Sequence, residues 1–76
     1  MTRAEMREVR LQLVHQMHEY ILNVGDEDIY DIWFTNCVPD NPSEEDFEFF
    51  ADNPENFRDL CEIFGAIVCR DERENY

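Results

Sequence analysis

Between Met6 and Val24 apolar side chains return every three or four residues: Met6, Val9, Leu13, Met17, Tyr20 and Val24, with Leu11, Val14 and Ile21 widening the stripe. A repeat near 3.6 residues turns one side of an α-helix toward a core, whereas a strand needs alternation at every second residue. The spacing therefore predicts a helix over residues 3–24, of about six turns. In a chain of 76 residues so long an element leaves room for one domain, and a 43% apolar content is enough to give it a core.

The remaining punctuation is also helical. Gly25 follows the stripe as a residue able to take the left-handed conformation that closes a helix, and Asp26 comes next as an N-cap. Asp26, Glu27 and Asp28 then suit the positive end of a helix dipole, and Ile29, Ile32, Trp33 and Asn36 share one face, with Tyr30 and Phe34 as a second edge. This predicts a second helix over 26–36. The run Val38-Pro39-Asp40-Asn41-Pro42 is a turn by composition. A short helix over about 43–51 follows, capped either by Asn41 with Pro42 behind it or by Ser43 with Asp46 three residues on. Asp52-Asn53-Pro54 repeats the stop and start, and Phe57, Leu60, Cys61, Phe64, Ile67 and Val68 form the apolar face of a last helix over 54–70. Gly65 inside it costs about 1 kcal/mol against Ala, which implies a close approach by a neighbouring helix or a bend. Residues 71–76 are expected to fray. The fold class expected is all-α: one compact domain over residues 1–76, of about four helices, two longer and two short, with Trp33 in the core.

The charge map is less ordinary. Against 19 acids stand 6 basic residues, all Arg, for a formal net charge of −13. From Leu11 to Phe57 there is no Arg or Lys at all, while Glu19, Asp26, Glu27, Asp28, Asp31, Asp40, Glu44, Glu45, Asp46, Glu48, Asp52 and Glu55 fall there. Such a chain is repelled by phosphates, so direct binding to nucleic acid or an anionic membrane is disfavoured. No apolar stretch approaches the ~18 residues of a membrane span, and the first ten residues contain no apolar run, so neither a span nor a signal peptide is expected. Cys37, Cys61 and Cys69 cannot all pair within one chain, and their apolar neighbours suggest buried thiols in a reducing cytoplasm.

Little in the sequence can carry catalysis. Two glycines, far apart, cannot build a phosphate-cradling loop, and Ser43, the single serine, sits where a cap belongs. His15, His18 and Glu19 lie within one turn, but no further His exists to complete a metal site, and the cysteines contain no CxxC. A calcium loop starting at Asp26 would put Tyr30, Asp31 and Cys37 at positions 5, 6 and 12; one starting at Asp40 would put Pro42 at position 3 and Ala51 at position 12. Neither pattern fits. No enzyme, cofactor or metal is expected.

What the acids do offer is spacing. Glu44, Glu48, Asp52, Glu55, Asp59 and Glu62 follow one another at three- or four-residue intervals, so within each helix they share one side, about 6 Å apart per step. Ordinary soluble surfaces mix signs to relieve repulsion, and this one does not. A face made of Asp26, Glu27, Asp28, Asp31, Asp40, Glu44, Glu45, Glu48, Asp52, Glu55 and Asp59 is expected to bind a basic protein, including one whose groove ordinarily takes nucleic acid. The alternative is a helical interaction module or homodimer that uses an aromatic patch of Trp33, Phe34 and Phe49, with the charge serving solubility.

The stretch Asp28-Ile29-Tyr30-Asp31-Ile32-Trp33, followed by Val38-Pro39-Asp40 and Ser43-Glu44-Glu45-Asp46-Phe47, resembles short acidic proteins of phages and mobile elements of Gram-positive bacteria. The resemblance covers about half of the chain and carries no catalytic motif. In size and charge the protein is also similar to anti-CRISPR proteins and DNA mimics, which implies an inhibitor that occupies a nucleic-acid groove of a host protein.

Overall fold

The computed structural model describes the backbone of residues 1–74 and the side chains of residues 1–70. Four helices follow one another, α1 (Arg3–Val24), α2 (Glu27–Asn36), α3 (Glu44–Asp52) and α4 (Pro54–Glu74), with no strand among the described residues. Each boundary has a local chemical cause. Thr2 opens α1 by accepting from the Glu5 amide at 3.1 Å, and its hydroxyl donates to the Glu5 carboxylate at 3.1 Å. Gly25 closes α1 at φ 72°, the only positive φ in the chain among the described residues. Asp26 caps α2 through the amides of Asp28 (2.9 Å) and Ile29 (3.4 Å), and the Tyr30 hydroxyl donates back to the Leu22 carbonyl near the end of α1.

Of the two caps open to α3, the structure uses Ser43, whose amide donates to the Asp46 carboxylate at 2.8 Å. Asn53 separates α3 from α4, but its side chain looks backward, donating to the Phe49 carbonyl at 2.7 Å. Pro54 then begins α4, where its missing N–H costs nothing. That helix continues to Glu74 rather than stopping near residue 70. The fraying expected for residues 71–76 concerns side chains, and in residues 75 and 76 also backbone, outside the described residues.

The core takes one stripe from each helix: Val14, Met17 and Ile21 from α1, Ile29 and Trp33 from α2, Phe47 and Ala51 from α3, and Leu60 and Ile67 from α4, with Val38 from the turn. Trp33 is wholly buried, set edge-on to Phe64 with ring centres 6.0 Å apart. Its indole N–H donates to His18 Nδ1 at 3.4 Å, and the His18 ring stands edge-on to Phe34 and Phe47. His15, one turn earlier, lies over Phe47 at 4.1 Å with its Nε2 3.4 Å from Glu44. The two histidines thus join α1 to α2 and α3.

Burial lowers the pKa of His18, and the neighbouring His15 lowers it further. A histidine depressed in the folded state contributes stability above its unfolded pKa, and that contribution is lost as pH falls through the folded value. Protonation at Nδ1 also removes the acceptor of a buried indole. Urea midpoints should therefore fall from pH 7.5 to about pH 5.5, above the range in which carboxylates take up protons. In His18→Asn the slope should flatten. A slope equal to that of the parent chain would remove His18 from the explanation.

Two expectations are corrected. Of the two readings of Gly65, close approach by a helix is the one overturned: the residue lies on an exposed side of α4, and a Cβ there would meet nothing within 4 Å. Gly65→Ala should raise stability by about 1 kcal/mol, read as a higher thermal midpoint. The cysteines are not all buried: Cys37 and Cys61 are half-buried and Cys69 is exposed. Cys69 follows the apolar Val68, but α4 turns it to the open side.

Candidate functional site

The expected acidic residues lie in three groups, with Asp40 apart from them in a turn, rather than on one rail. At the start of α2, Asp26 is half-buried because its carboxylate is spent on the helix cap, while Glu27, Asp28 and Asp31 are exposed. Asp28 sits 3.5 Å from Arg70 Nη2, which places this group beside the far end of α4. Asp40 is exposed in the turn between α2 and α3.

The second group runs along the seam between α3 and α1. Glu44 meets His15, and Arg7 bridges Asp52 at 2.6 Å and Glu48 at 3.9 Å. Arg10 adds a bond from its Nε to the Ala51 carbonyl at 2.8 Å, near the end of α3. The two helices run antiparallel, and these contacts hold the acidic side of α3 against the basic side of α1. Asp52 raises the pKa of Arg7 further above its already high value, first by the hydrogen bond and then by its charge. The pairs are solvent-exposed, so each contributes little to stability, but they set the register of α3. Glu45, on the outer side of α3, is exposed.

The third group is Glu55, Asp59 and Glu62 on α4, all exposed. By helical periodicity this row faces away from the buried Leu60 and Ile67. Pro54 breaks the line between it and the α3 row. Glu27, Asp31, Asp40, Glu45, Glu55, Asp59 and Glu62 have no ion-pair partner among the described residues.

His18 is occupied by Trp33 and His15 faces Glu44. Burial pushes the thiols of Cys37 and Cys61 up, which disfavours the reactive thiolate. Among the described residues no three His, Cys, Asp or Glu side chains gather into a metal-holding group. No helix, among the described residues, is long and apolar enough to cross a membrane.

The aromatic patch of the alternative reading loses Trp33, which is buried as expected. Trp33 is in the core and Phe34 is half-buried, leaving Phe49 at 49% exposure, edge-on to Phe50. Another surface is exposed where the sequence spacing predicts core. Met6, Val9 and Leu13 belong to the helical stripe of α1, yet they are 47, 42 and 38% exposed. The width of that stripe was the available signal: it is broader than the single contact face a helix needs.

No family model, no curated protein and no solved structure matches this chain.

Proposed function

We propose that the protein is a small non-enzymatic inhibitor or regulator whose exposed carboxylates dock onto an Arg- and Lys-rich surface of a partner protein, including a groove that ordinarily holds nucleic acid. The observation that carries this reading is the set of exposed carboxylates without an ion-pair partner among the described residues, Glu27, Asp31, Asp40, Glu45, Glu55, Asp59 and Glu62 among them, in a chain of net charge −13. Unrelieved repulsion costs stability, and a basic partner converts the same field into attraction and faster encounter. The α4 row suits this role best, because Glu55, Asp59 and Glu62 hold no other part of the fold together.

The resemblance to short acidic phage proteins makes a Gram-positive bacterial lysate the natural source of partners. Capture on the immobilised protein should retain a nucleic-acid-binding protein at about 0.1 M salt and lose it at about 0.5 M, where the Debye length has more than halved. Added DNA or RNA should displace it. A partner held equally at both salts, or indifferent to nucleic acid, would contradict docking into such a groove.

A further inference from the structure

The exposed apolar residues of α1 are not scattered. Met6, Val9 and Leu13 line one wall of an open groove of about 410 Å³ whose other wall is Phe57 and Cys61 of α4. Farther along, Tyr20 packs edge-on to Phe64 at 5.3 Å and closes the space between the same two helices. The groove is therefore the unfilled end of a helix–helix seam. Arg10 and Arg58 also line it, and no carboxylate does. On a molecule whose other surfaces are dominated by acids, this is the patch least hostile to a second acidic chain.

We infer that the α1–α4 groove is the interface of a symmetric homodimer, in which two copies bury their Met6-Val9-Leu13 faces against each other. Three features favour a second copy over a foreign helix. A twofold interface must carry both knob and hole on one patch, and here the projecting Met6 and the 86% exposed Met1 stand at the same groove they would fill in the partner. Methionine side chains are flexible enough to enter an irregular groove. The 3–4 spacing of Met6, Val9 and Leu13 is also that of a helix-pair seam, so two α1 helices can pass antiparallel about an axis near Val9. Charge points the same way. Joining the groove faces keeps Glu55 and Asp59 of α4 outward, while Glu5 and Glu62, each one turn from a groove residue of its own helix, flank the face as counterions for Arg10 and Arg58.

The dimer differs from acidic-face docking in the sign of its salt response. Two chains of −13 repel, so screening strengthens an apolar association between them, whereas it weakens docking to a basic partner. Sedimentation equilibrium from about 1 μM to about 1 mM, a range suited to a small interface, should show mass rising toward twice 9.2 kDa. The transition should move to lower concentration between about 0.05 M and about 0.5 M salt. Leu13→Glu should weaken association at least tenfold while helix content by circular dichroism is unchanged, since Leu13 is already 38% exposed. Leu22→Glu, at a 51% exposed residue outside the groove, should leave association intact. A chain that stays monomeric throughout, or a dimer that survives Leu13→Glu, overturns the proposal.

Discussion

Trp33→Ala should remove about half of the domain's stability, read as a sharply lower urea midpoint. Trp33 is completely buried, touches Phe64 edge-on and ends on His18, so truncation opens a cavity where α1, α2 and α4 meet. Removing a buried aromatic costs about 3–5 kcal/mol, and a domain of this length holds about 4–11 kcal/mol in total. Either circular dichroism or urea denaturation reads the loss directly. Trp33→Phe should fall between, since it keeps much of the bulk and gives up the indole bond to His18. If Trp33→Ala kept the parent's urea midpoint, the packing of α2 against α1 and α4 described above would be wrong.

The second large effect should separate stability from binding. In Glu55→Gln/Asp59→Asn/Glu62→Gln, three exposed charges with no ion-pair partner among the described residues are removed from a molecule of −13. The thermal midpoint at low salt should rise, because the substitutions relieve repulsion and break no contact. Affinity for the basic partner should drop by about 10- to 100-fold if each charge contributes about 0.5–1 kcal/mol across the interface. Glu48→Gln/Asp52→Asn should behave differently, since both carboxylates meet Arg7 and the loss of those contacts offsets the relief of repulsion. Equal effects from the two sets on stability and on binding would show that the α3 and α4 rows do not have the separate roles assigned to them.

Helix existence was legible in the sequence because its signals are local. The 3–4 spacing of α1, the Gly25-Asp26 junction and the Asn53-Pro54 junction each act within a few residues, and each stands where the spacing placed it. What could not be read was which part of each stripe the other helices would cover. Met17 and Leu13 lie in the same repeat, yet Met17 is 7% exposed and Leu13 is 38%, because α4 closes on α1 only toward Tyr20 and Phe64. The same limit applied to the acids. Spacing showed that Glu44, Glu48 and Asp52 share one side of α3, but only the packed structure shows that side meeting Arg7 and His15 of α1. Gly65 misled for a related reason: a glycine within a helix signals close approach only if a neighbour arrives, and none does.

The most direct test of the acidic-face account is the dissociation constant of the captured partner, measured on purified components from about 0.05 M to about 0.5 M salt. The account predicts that affinity falls steeply and continuously with salt, and that the α4 triple variant binds more weakly with a shallower slope. An affinity independent of salt, or a triple variant that binds as the parent does, would contradict it.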